Sequence, residues 1–183
     1  MEYIIRDIIR ILIREPLIKA FLEEELSKFK PADNIELSSL VVDEACNIYL
    51  TDFDNTKIEI KGYQAKTLYL FYLLSPAGVS NRDLPSHYDI IKNIYKEVCH
   101  QKMNDEYRSE VVIKGLLFRE GAISEATNKI RAAVKKAISS TEISHYYMIN
   151  GLRNGVRQIP IRKSLIRIEN KQLIQVKNKW RFK

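Results

Sequence analysis

Residues 124–161 read SEATNKIRAAVKKAISSTEISHYYMINGLRNGVRQIPI, and the reading of this stretch decides the fold. Ser124 follows Gly121 and carries the hydroxyl of a helix N-cap, so the spacing predicts a helix of about four turns over 124–138. At about 100° per residue, Ala126, Ile130, Ala133, Val134, Ala137 and Ile138 share one arc, which is the expected core face. The opposite arc carries Asn128, Arg131, Ala132, Lys135, Lys136 and Ser139. Donors of this kind reach acceptor-rich base edges and phosphates in a DNA major groove, and small residues between them let the backbone approach. An ordinary basic surface helix has a similar composition, so this helix alone leaves both readings open.

The residues that follow narrow the choice. HYYMIN and VRQIPI are β-rich runs joined by GLRNG, in which Asn154-Gly155 supplies the positive φ values of a tight hairpin turn. A helix followed by a hairpin with arginines at its tip and base is the pattern of a winged helix. Arg153 and Arg157 are expected where a wing meets the narrow minor groove, whose negative potential favours guanidinium, with Asn154 between them.

Charge along the chain points the same way. Residues 1–125 hold 16 Lys and Arg against 21 Asp and Glu, net −5, whereas residues 126–183 hold 14 against 2, net +12. A one-sided positive field of this size suits a polyanion, because bound cations release the counterions condensed on a phosphate backbone. The expected partner is double-stranded DNA. Base readout is assigned to the 124–138 helix, with Ser124, Asn128 and Arg131 among its DNA-binding residues, and phosphate positioning to Lys129, Lys135, Lys136 and the wing arginines.

Outward from this region, residues 35–61 form three short β-rich runs, IELSSLVV, CNIYLT and KIEIK, with a turn at Asp52–Asn55. They predict a small antiparallel sheet. Gly62 closes it and QAKTLYLFYLLS begins a helix that Ser75, Pro76 and Gly78 end. In VSNRDLPSHYDIIKNIYKEV, Ser80 with Asp83 and Ser86 with Asp89 are helix-start signals, and Pro85 favours a short first turn before the main helix. Residues 102–122 stay unassigned, since VVIKGLLF suits a helical turn or a strand equally.

The first 34 residues carry helical stripes, Ile4, Ile5, Ile8, Ile9 and Leu12, then Leu17, Ile18, Phe21, Leu22 and Leu26 after Pro16. They read as amphipathic helices that pack on their own domain or mediate a homodimer. Arg6, Asp7, Arg10 and Arg14 interrupt the stretch too often for a bilayer span, which requires roughly 18–20 apolar residues. A cytoplasmic protein is expected. Cys46 and Cys99, without CxxC spacing, fit buried free thiols in a reducing compartment.

In its order of elements the chain resembles the OmpR-type winged-helix effector domain of bacterial transcription regulators. The likeness covers roughly residues 35–162: strands, a helix after KIEIKGYQAKTLYLF, VSNRDL opening a second, NKIRAAVKKAI as recognition helix and YYMINGLRNGVRQIPI as wing. The resemblance implies that Asn128, Arg131 and Lys135 approach bases or phosphates, and Arg153 and Arg157 the adjoining backbone or minor groove. That family usually carries a phosphorylatable receiver domain in front, whereas here only residues 1–34 precede the sheet, so phosphorelay control is not expected.

The expectation is therefore an α+β winged helix: an N-terminal antiparallel sheet, a three-helix core and a C-terminal β-hairpin wing, preceded by amphipathic helices. Its segments are 1–34, the winged-helix domain 35–163, and a hairpin around Asn170-Lys171 with a basic tail, 164–183. No Walker loop, GxGxxG, GxSxG or HExxH occurs, and Asp52 and Asp54 read as turn residues. Neither enzymatic activity nor a cofactor, metal or small-molecule ligand is expected. A protein-docking module built on the same fold is the alternative.

Overall fold

A computed structural model describes residues 36–75, 77–99, 106–151 and 155–180, with residues 179 and 180 described by backbone alone. The expected N-terminal helices of residues 1–34 lie outside the described residues, as do Arg153 and Asn154. From Leu37 onward the described chain belongs to one compact unit. It is α+β, with helices and two small sheets.

The first sheet begins with β1 (Leu40–Val42), β2 (Ile48–Leu50) and β3 (Thr56–Lys57), paired antiparallel in sequence order. Alternation buries Leu40, Val42, Ile48 and Leu50 and leaves Val41 and Tyr49 between them half-buried. The turn after β2 is the expected one: Asp54 and Asn55 adopt φ of 49° and 53°, a region that short polar side chains tolerate.

Helix α1 (Tyr63–Leu74) follows Gly62 and is the centre of the core, with nine of its 12 residues buried. Such a helix has no polar face because other elements cover it on all sides. A tight turn through Gly78, at φ 71°, leads into β4 (Val79–Ser80). A Cβ on Gly78 would stand 2.5 Å from the Arg157 carbonyl oxygen, so this position is closed to larger residues. Pro85 opens a single 3-10 turn, Leu84–His87, ahead of α2 (Tyr88–Cys99), as expected. The Ser80 hydroxyl donates to Asp83 Oδ2 at 2.7 Å, but Ser86 donates to the Asp83 carbonyl at 2.6 Å rather than serving Asp89.

The unassigned stretch contains a helix, α3 (Glu106–Phe118). It packs on α2 through Ile113, Leu116 and Leu117, and its first turn is fixed by charge. Lys92 Nζ lies 2.6 Å from Glu106 and 3.0 Å from Glu110, while Lys96 Nζ lies 2.5 Å from Glu106. The hydrogen bonds from Lys92 and Lys96 hold the Glu106 carboxyl down from 4.5 to about 2. A carboxylate depressed in the folded state stabilises above its ordinary pKa, and that contribution disappears as pH falls through the folded value. Wild-type and Glu106→Gln proteins should thus differ in melting temperature at neutral pH and converge as pH drops from 4.5 towards about 2. Melts followed by circular dichroism across that range check this, and a gap that stays constant down to the lower end rules it out.

Helix α4 (Ala122–Ala137) corrects the expected start at Ser124. The N-cap is Gly121, at φ 78°, and Ser124 lies exposed inside the first turn. The reason is the tight reversal out of α3, which needs a left-handed residue more than a hydroxyl. Arg119 reinforces the reversal by gripping Glu125 in a two-pronged ion pair of 3.1 and 2.7 Å. Short helix α5 (Thr141–His145) then replaces part of the expected strand HYYMIN, because the Ser140 hydroxyl accepts from the Ile143 amide and nucleates a turn. Only Asn150–Gly151, β5, remains extended there; it pairs with β6 (Val156–Gln158), which pairs in turn with β4. The second sheet has the order β4-β6-β5.

The expected hairpin around Asn170-Lys171 is overturned. Residues 166–168 form β7, which adds to the first sheet parallel to β1, with Leu40 opposite Ile166 and Val42 opposite Ile168. The sheet order is β3-β2-β1-β7, so the sheet is not wholly antiparallel. After it comes α6 (Lys171–Trp180), capped by Asn170, whose Oδ1 accepts from the Leu173 amide at 2.9 Å. The three helices expected for the core are all present, and α3 is a further one.

Candidate nucleic-acid interface

Helix α4 divides by periodicity into a buried and an open face. Ala122, Ala126, Ile130, Ala133 and Val134 are buried, and buried Thr127 satisfies its hydroxyl by donating to the Ile123 carbonyl at 2.7 Å. Ser124, Asn128, Lys129, Arg131, Lys135 and Lys136 are all exposed, with Ala132 among them. Six of the nine residues expected at the interface therefore stand on one open helix surface. Among the described residues, no carboxylate lies within ion-pair distance of Lys129, Arg131, Lys135 or Lys136. Their nearest acid along the helix, Glu125, is held by Arg119, and that ion pair lowers its pKa.

This distribution has an electrostatic consequence. Glu125 occupies the first turn and Lys135 and Lys136 the last, the arrangement a helix dipole favours, so the cations cost the helix little. Among the described residues, four positive groups without an ion pair remain exposed on this helix. Ala132 between them adds no bulk that would hold a partner surface away.

Arg157 is placed differently from the rest. It lies half-buried on β6, the central strand of the second sheet, which packs on α1. Its Nε is buried and has no hydrogen-bond partner among the described residues. Nearby Tyr72 donates to the Val79 carbonyl and to Asn81 Oδ1, both at 3.3 Å. Burial pushes the Tyr72 phenol up to about 12, and the Arg157 charge opposes that rise. Arg153 and Asn154 belong to the undescribed hairpin tip.

Two residues on the rim of this region, Lys57 and Lys61, went unassigned in the sequence although both are exposed and face the cleft beside α4. The signal was present in KIEIK, whose alternation sends isoleucines inward and charges outward.

Asp52 accepts from the Ser39 amide at 2.7 Å, which agrees with its reading as a turn residue. Cys46 and Cys99 are buried free thiols, and burial pushes the Cys46 thiol up to about 11, away from reactivity. Among the described residues no three His, Cys, Asp or Glu gather in a metal-binding group, and no helix is long and apolar enough to cross a membrane. The chain matches no family model, no curated protein and no solved structure.

Proposed function

We propose that residues 35–163 form a winged helix of the OmpR type and that the chain is a cytoplasmic DNA-binding transcriptional regulator. In this reading α4 enters the major groove, α1 and α2 support it, and the β5–β6 hairpin carries the wing. The order β4-β6-β5 supports it, because a strand between the first two helices joins the hairpin that follows the third principal helix. The observation that carries it is the open face of α4: Asn128, Lys129, Arg131, Lys135 and Lys136 exposed together, without an ion pair among the described residues, opposite a buried apolar face.

Fluorescence anisotropy with a random-site duplex pool tests the reading. Binding should weaken with salt at a log–log slope of about −0.9 per phosphate contacted. Absence of binding at low salt overturns the proposal. Selection of bound sequences from the same pool then names the operator, and a palindromic product indicates a homodimer, for which residues 1–34 are the assigned contact.

One observation favours a second reading, a protein-docking module. Helix α3 exposes Val111 and Phe118, at 51% and 65%, on a single side. A partner that binds through α3 and ignores charge reversal on α4 would support that reading instead.

A further inference from the structure

A groove of about 420 Å³ runs between α4 and the edge of the first sheet. Lys129, Ala132 and Lys136 stand on its α4 side, and Lys57, Glu59 and Lys61 form the other. β3 is the edge strand, and the alternation through 57–61 buries Ile58 while Lys57, Glu59 and Lys61 remain exposed. The same three residues line a second cleft of about 240 Å³, together with Lys66. The basic lining is thus continuous from α4 across the sheet edge, five lysines against one glutamate.

The rim charges are available. Among the described residues neither Lys57 nor Lys61 is ion-paired, and Lys57 Nζ sits 5.8 Å from the Tyr49 ring centroid, which steadies the side chain without neutralising it. A helix about 10–12 Å across nearly fills a major groove about 12 Å wide, so phosphate backbones pass along both of its flanks. The flank of α4 that faces β3 is where one of those strands would lie.

We propose that the 56–61 edge segment is a second phosphate-binding wall, and that one backbone strand of a DNA duplex occupies the groove between it and α4. The inference rests on the reading of α4 as the DNA-facing helix. It extends the interface to a sheet that the winged-helix pattern does not itself involve. An acidic protein segment is the competing occupant of such a groove.

The test compares salt titrations and phosphate-ethylation interference for wild-type protein, Lys57→Gln/Lys61→Gln and Lys57→Glu/Lys61→Glu. Both variants change exposed side chains, and the glutamine pair guards against loss of fold through introduced repulsion. A charge-matched control, Lys163→Glu/Lys171→Glu, alters exposed residues flanking β7 at the opposite edge of the sheet. The expected result is a salt slope shallower by about 0.9 for each lysine lost and loss of interference at phosphates on one flank alone, with the contacts of α4 retained. Slopes and interference equal to wild type overturn the inference while leaving the α4 reading intact. An equal loss in the control attributes the effect to overall charge and also overturns it. Competition by polyglutamate as strong as by duplex makes an acidic protein the occupant. Failure of the wild-type protein to bind duplex removes the α4 reading itself.

Discussion

Arg131→Glu combined with Lys135→Glu is expected to weaken duplex binding by on the order of a hundred- to ten-thousand-fold, about 3–6 kcal/mol, at moderate salt. Each substitution removes one cation from the open face of α4 and sets a carboxylate against phosphates in its place. A base-reading arginine alone accounts for about 1–3 kcal/mol, and repulsion adds to that. Both side chains are exposed and neither has an ion pair among the described residues, so the folded state should be nearly unaffected. Anisotropy titrations beside thermal melts check the two halves together. Affinity retained within about threefold would sink the DNA-facing reading of α4, since a change of that size is below 1 kcal/mol.

The second large effect is on stability. Asn170→Ala is expected to cost about 1–3 kcal/mol, because one buried side chain serves two backbone groups. Its Oδ1 caps α6 through the Leu173 amide at 2.9 Å, and its Nδ2 donates to the Glu44 carbonyl at 2.8 Å. That second bond reaches the turn between β1 and β2, where Cys46 holds a φ of 60° that a residue with a Cβ adopts only under constraint. Loss of an N-cap costs about 0.5–2 kcal/mol, and loss of the bond that ties α6 to the Glu44 carbonyl about 0.5–1.5 kcal/mol more. Asn170→Asp keeps the cap but not the donor and should fall between. Urea denaturation of the three proteins decides the matter; equal midpoints for Asn170→Ala and wild type would show that the bridge contributes nothing.

Legibility followed the range of the interactions. The two faces of α4 were readable because a 3.6-residue period is a local property, and burial follows it residue by residue through Ala126, Ile130, Ala133 and Val134. The β2–β3 turn and the start of α2 were readable for the same reason, since Asp54, Asn55 and Pro85 restrict their own backbone. Helix α3 was not. VVIKGLLF is too short for periodicity to decide, and what stabilises the helix start is Lys92 and Lys96, contributed by a different helix. HYYMIN has strand-forming residues, yet Tyr147 is buried with its hydroxyl donating to the Ser38 carbonyl at 2.7 Å, a bond across most of the chain. Tertiary demand outweighed propensity there.

The candidate interface divides in the same manner. Periodicity and charge were enough to establish that one helix presents an amide, lysines and an arginine to solvent, because side-chain direction on a helix depends only on position along it. Whether Arg157 would share that surface, and whether Lys57 and Lys61 would stand beside it, depended on strand pairing between segments far apart in the chain. β6, which carries half-buried Arg157, is flanked by β4 and β5, whereas β3 is left at an edge, where its Lys57 and, four residues on, Lys61 line the groove beside α4. Backbone hydrogen bonding selects such partners by the closure and packing of the whole domain, and no local run of residues encodes it.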